Sequence, residues 1–95
     1  MSTPELRASW ARTYRHLAAA RYYLAIELPE GDPRAAAAEI EHYLHHNEFG
    51  LALESAEALG VSVSAPEQFW QELKLAAESM GLVDEAARYA ERCAA

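Results

Sequence analysis

Helix-breaking residues cut this sequence into five segments, and within each segment the apolar residues recur three and four positions apart. That combination constrains the chain more than anything else in it, because a half-buried strand needs strict alternation and a surface helix needs this spacing. Composition points the same way. Alanine fills 21 of the 95 positions, while Val, Ile and Thr together fill seven, a balance that favours helix over sheet. Setting aside alanine and Cys93 leaves 27 larger apolar or aromatic side chains, enough for one compact domain over residues 1–95 and too few for two. The expected fold is all-α, a small single-domain bundle of four or five helices.

The first helix runs from about residue 4 to Leu28. Ser2 or Thr3 caps it, Pro4 is accepted at its start, and Glu5 stands where a capping box with Ser2 needs it. Leu6, Trp10, Leu17, Leu24 and Leu28, with Tyr14 and Ala20 between them, form its apolar stripe. A break over 28–33 carries Pro29, Gly31 and Pro33. Asp32 and Pro33 then open a second helix that reaches His45 or His46 and turns Ala36, Ala37, Ile40, Tyr43 and Leu44 inward. Asn47 is the expected N-cap of a third helix, with Glu48 at the positive end of its dipole and Gly60 at its end. Its inward stripe is Phe49, Ala52, Leu53, Ala56 and Leu59. Val61-Ser62-Val63 reads as an extended connector. Ser64-Ala65-Pro66-Glu67 reads as a capping box for a fourth helix lined by Phe69, Leu73, Ala76 and Met80, flanked by Trp70 and Ala77 and ended by Gly81. Asp84 caps a short fifth helix built on Ala87, Tyr89 and Ala90.

The sequence argues against several function classes. A net charge of −7 is the wrong sign for a direct nucleic-acid ligand. The longest stretch without a charge, Ala58 to Pro66, is far short of a membrane span. The arginines at 7, 12 and 15 leave no signal-peptide h-region, and the lone Cys93 cannot form an internal disulfide, so the expected compartment is the cytoplasm. The four glycines stand singly at 31, 50, 60 and 81, and no Ser occupies a G-x-S-x-G turn. Cys93 reads as a semi-exposed thiol rather than a nucleophile. The expectation is a protein that is not an enzyme and carries no cofactor.

Three histidines invite a metal reading. His42 and His46 share a helical face with Glu39 one turn earlier, a spacing that could hold Zn²⁺. The pattern is not H-E-x-x-H, however, and no fourth ligand is identifiable, so the favoured reading places these imidazoles at a helix C-terminus where positive charge is stabilised. No metal is expected. His16, alone on the first helix, reads as solvated or half-packed.

Charge is unevenly distributed. Residues 1–31 carry a net charge of +1, whereas residues 32–95 carry −8. Over 35–73 there is no Lys or Arg, yet Glu39, Glu41, Glu48, Glu54, Glu57, Glu67 and Glu72 all fall there. Such a surface either promotes solubility or meets a basic partner. Tyr22 and Tyr23 are adjacent and project about 100° apart on a helix, so both cannot face the core, and the outer one suits an interface. Trp70, next to Phe69, reads as core.

The central segment Tyr43-Leu44-His45-His46-Asn47-Glu48-Phe49-Gly50-Leu51-Ala52-Leu53-Glu54 resembles the Y-L-x-H-N-E-[YF]-G-L-A-x-[ED] signature of the MafI family, small immunity proteins encoded beside polymorphic toxins. The likeness continues through Val61-Ser62-Val63-Ser64 to Phe69-Trp70 and Ala77-Glu78-Ser79-Met80-Gly81-Leu82, about residues 36–83 in all. Gly81 stands where that family often has a charged residue, and the Arg- and Ala-rich first helix lies outside the match. The resemblance implies a cytoplasmic antitoxin that binds and blocks the C-terminal effector domain of a cognate toxin, many of which are basic nucleases. Within the motif, Gly50 is expected where two helices approach closely. The residues expected to face the toxin are Glu39, Glu41, His42, His45, His46, Glu54 and Glu57.

A second reading comes from the segments Tyr43 to Leu59 and Phe69 to Cys93. Each places an aromatic, a turn and an Ala-rich helix in order, as tetratricopeptide units do, although no steady 34-residue period links them. That reading is a helical adaptor for a peptide or protein, and it requires the two hairpins to stack in parallel.

Overall fold

In a computed structural model, residues 3–25 and 32–94 are described. The Ser2 capping box, Leu28 and the break over 28–31 lie outside them. The helices are α1 (Pro4–Ala25), α2 (Asp32–His45), α3 (Phe49–Ser62), α4 (Glu67–Ser79) and α5 (Val83–Ala94). No strand occurs among the described residues, so the chain is all-α. Thr3 caps α1, its Oγ1 accepting the Leu6 N–H at 3.1 Å.

Three of the helices stop in the same way. Asn47, Ser64 and Gly81 adopt φ of 56°, 53° and 74°, the left-handed conformation that cannot continue a helix. The backbone around each closes in the Schellman pattern. Glu48 N donates to Tyr43 O at 2.9 Å, Ala65 N to Gly60 O at 2.9 Å, and Leu82 N to Ala77 O at 2.9 Å.

This pattern corrects several expectations from the sequence. Asn47 ends α2 and does not cap α3; the α3 N-cap is Glu48, which makes no side-chain cap bond. The Ser64 capping box does not form, because Ser64 ends α3, and Pro66 in extended backbone precedes α4. Gly60 lies inside α3, which continues to Ser62, so the expected connector begins as helix. Helix α5 starts at Val83 with Asp84 inside its first turn, and Ala86 rather than Ala87 turns inward with Tyr89.

One core draws side chains from all five helices. Helix α1 lies mainly on α4, α2 pairs with α3, and α4 pairs with α5, while α1 also touches α2 and α3. The α2 backbone does not come close to that of α4 or α5 among the described residues. Between the α2–α3 and α4–α5 hairpins, the backbones approach through α3 and α4.

The burial of α1 departs most from the sequence reading. Leu17, Ala20 and Leu24 are buried as expected, but Leu6, Trp10 and Tyr14 are 42%, 40% and 42% exposed. Thr13, a polar residue, is 1% exposed instead. Its hydroxyl bonds the Ser9 carbonyl at 2.9 Å and the Ser79 hydroxyl, while Ser9 Oγ donates to Ser79 O at 2.9 Å. Ser79 O is among the last carbonyls of α4, which have no partner within their own helix. These bonds tie the α1 seam to the end of α4. One turn further along, His16 Nδ1 lies 2.7 Å from Glu72 Oε2 and extends this polar seam.

Candidate functional site

The seven residues expected at the partner surface fall into two separate regions. Five lie on the C-terminal half of α2. Its buried side carries Ala37, Ile40 and Leu44, so at 100° per residue Glu39, His42 and His46 project away from the core. Glu41 and His45 flank the side facing α1. The His42 and His46 rings lie with centroids 4.5 Å apart, tilted by 54° to one another. Tyr43 donates its hydroxyl to Glu39 Oε1 at 2.8 Å, and this bond, together with some burial and the carboxylate's charge, raises the phenol above its ordinary pKa. Glu39 therefore turns toward Tyr43 rather than the imidazoles. Among the described residues, no three His, Cys, Asp or Glu side chains come together as a metal site.

Glu41 and His45 border a cleft of about 210 Å³ with Tyr14, Ala18, Arg21 and Leu44. Arg21 Nε lies 3.7 Å from Glu41 Oε1. That nitrogen is buried and accepted by no hydrogen-bond partner among the described residues.

The other two residues, Glu54 and Glu57, lie on α3 and border a different cleft, formed with α5. Glu57 does not point outward as expected. Arg88 grips it through two hydrogen bonds, Nε to Oε2 at 3.1 Å and Nη2 to Oε1 at 3.0 Å, and Tyr89 donates its hydroxyl at 3.1 Å. Burial pushes this carboxyl up, but the bonds from Arg88 and Tyr89 outweigh it and hold Glu57 below the usual carboxylate range. Burial, reinforced by the Glu57 charge, drives the Tyr89 phenol strongly upward. Glu57 thus ties α3 to α5. Glu72, paired with His16, is also taken up internally, whereas Glu39, Glu48 and Glu54 remain on the surface.

Gly50 is not a point of close approach: a Cβ there would meet nothing within 4 Å. Gly60 has that role, since a Cβ would fall 2.9 Å from Phe69 Cζ and closer still to Cε1. Trp70 is buried as expected, edge-on to Phe69, with the Arg92 guanidinium 4.6 Å from its ring centroid. Cys93 is half-buried, and burial together with the Glu67 charge raises its thiol.

Sequence reasoning missed the partial exposure of the N-terminal half of the α1 stripe. Trp10 and Tyr14 belonged to an expected core stripe, yet they stand at the surface with Tyr22 (65% exposed) and Tyr23. The signal was present in Ser9 and Thr13, whose spacing from Leu17 also fits a buried face. The chain matches no family model, no curated protein and no solved structure.

Proposed function

We propose that this chain is a MafI-type immunity protein, a non-enzymatic cytoplasmic antitoxin that neutralises the C-terminal effector domain of a cognate secreted toxin by occlusion. The observation that carries this reading is the Tyr43–Glu54 motif within a 39-residue stretch that has no basic residue. The motif spans the α2–α3 corner. Tyr43, Leu44, Phe49 and Leu53 contribute to packing there, Asn47 forms the turn, and Glu39, Glu41, His42, His45, His46 and Glu54 are exposed around it. An acidic surface of this kind steers association with a basic effector, as a nuclease would be, and covers groups that would otherwise contact phosphate. Glu57 acts as framework in this reading, because its charge is already neutralised by Arg88.

Calorimetric titration tests the proposal, using the C-terminal domain encoded in the reading frame immediately upstream. The expected result is tight 1:1 binding that weakens with salt. The triple variant Glu39→Lys, Glu41→Lys, Glu54→Lys should lose affinity and cellular protection together. Unchanged binding by that variant would refute the acidic surface, and the absence of binding by the wild-type chain would refute the immunity reading.

A further inference from the structure

The cleft between α3 and α5 encloses about 470 Å³, within the roughly 300–1,000 Å³ of sites that receive small ligands. Its floor is apolar, made by the buried Leu53 and Tyr89 with the half-buried Leu82. Gly50 forms one end, and because a Cβ there would meet nothing within 4 Å, no side chain narrows the cleft at that point. Leu51, 45% exposed, extends the apolar edge.

The charge around this floor is one-sided. Its charged groups are Glu54, Glu57, Glu85 and Arg88. Arg88 is bound to Glu57 through two hydrogen bonds, so those two cancel. Arg92, the next cation on α5, lies over the Trp70 ring. Neither Glu54 nor Glu85 forms an ion pair among the described residues, and Glu85 is half-buried. Two negative charges are therefore left unmatched beside an apolar floor.

We propose that this cleft receives an arginine side chain of a partner protein, with its aliphatic stem on Leu53, Leu82 and Tyr89 and its guanidinium at the Glu54 and Glu85 carboxylates. Arginine fits both parts of the cleft. Its stem covers apolar surface, and its weakly hydrated planar head donates paired hydrogen bonds to carboxylates. A divalent cation would need converging ligands, and no three such side chains come together among the described residues. A phosphate group would be repelled by the same two carboxylates. The inference deepens the immunity reading and rests on it for the partner, a basic effector domain. It adds Glu85 and the α5 side of the cleft, which lie outside the Tyr43–Glu54 motif.

The test uses the ¹⁵N-labelled full chain and two acetylated, amidated peptides, Leu-Arg-Leu and the same peptide with citrulline, the neutral isostere, in place of arginine. The arginine peptide is expected to give saturable shifts in amides of residues 50–57 and 82–89, with affinity about tenfold above that of the citrulline peptide. Glu54→Gln with Glu85→Gln should weaken binding about tenfold. Gly50→Leu keeps every charge, suits a helix better than glycine and fills the open end of the cleft, so it should weaken binding as well. Glu39→Gln with Glu41→Gln, on α2, should leave it unchanged. The proposal is overturned if the arginine peptide fails to bind, if both peptides bind equally, or if the shifts map outside the cleft. Wild-type affinity in Gly50→Leu would mean diffuse attraction rather than insertion and would overturn it too. Titration of the upstream effector domain against the same variants separates the two readings. An effector that binds wild type, Gly50→Leu and the Glu54, Glu85 variant alike overturns the cleft and leaves the immunity reading standing. Arginine-peptide binding in the cleft without any effector binding supports the cleft and removes the immunity reading alone.

Discussion

The two helical glycines of α3 differ only in their surroundings. In an exposed helix, Gly→Ala stabilises by roughly 0.5–1 kcal/mol, since alanine loses less backbone entropy. Gly50 is exposed with open space around its Cα, so Gly50→Ala is expected to raise stability by about 0.5 kcal/mol. Gly60 faces the fully buried Phe69 ring, and overpacking of this kind costs roughly 1–3 kcal/mol. Gly60→Ala should therefore lower stability by about 1–2 kcal/mol, and urea unfolding of both variants checks the opposite signs. Glu57 has a pH signature. Its carboxyl is held below the unfolded value, so its contribution is fully present above about pH 4.5 and is lost as pH falls through its folded-state pKa. Urea midpoints for wild type and Glu57→Gln should differ at pH 6 and converge near pH 3. A constant gap would mean that the Arg88 grip contributes nothing that depends on ionisation.

At the scale of elements, helix ends decide as much as helix faces. The left-handed residues at 47, 64 and 81 stop α2, α3 and α4. Glycine and asparagine accept that conformation readily, whereas for other residues it costs roughly 1–2 kcal/mol. Ser64 is the strained member, so Ser64→Gly is expected to raise the thermal midpoint, with a gain of up to about 1 kcal/mol. A lowered midpoint would show that the Ser64 side chain has a stabilising contact. Helix α1 shows that a stripe can be right in direction and wrong in extent: Leu17, Ala20 and Leu24 are buried, whereas Leu6, Trp10 and Tyr14 are partly exposed. Beside the stripe, the Ser9 hydroxyl donates to the Ser79 carbonyl and the Thr13 hydroxyl meets the Ser79 hydroxyl, a polar seam that apolar spacing does not record.

At the scale of the whole molecule, the fold gathers positive charge on α1 and leaves the remaining helices acidic. With 15 acidic against 8 basic residues, mutual repulsion opposes compaction at low ionic strength. Raising NaCl from about 10 to 150 mM, which shortens the screening length to about 8 Å, is expected to increase the thermal midpoint by a few degrees. A decrease would mean that the Glu57–Arg88 and His16–Glu72 pairs outweigh the general repulsion. The radius of gyration, 12.8 Å, is that of a compact chain of this length, about 12 Å. No helix among the described residues is long and apolar enough to cross a membrane.

The sequence by itself determined the helical class, a count of four or five helices and most of the core. Periodicity and breakers are local properties, so Ile40, Leu44, Phe49, Leu53, Phe69 and Leu73 could be placed inward from spacing alone. Helix boundaries were less legible, because Asn47 and Ser64 suit either a cap or a left-handed stop. Only neighbouring backbone decides between the two. Of the expected partner surface, the exposure of Glu39, Glu41 and Glu54 was legible, but the capture of Glu57 by Arg88 was not, since 31 residues separate them. Only the tertiary structure decided how much of the α1 stripe is covered. Leu6 and Trp10 lie on the same side of the helix as Leu17 and Leu24, yet the first pair is partly exposed and the second buried, because covering comes from other helices and no pattern within α1 records where they lie.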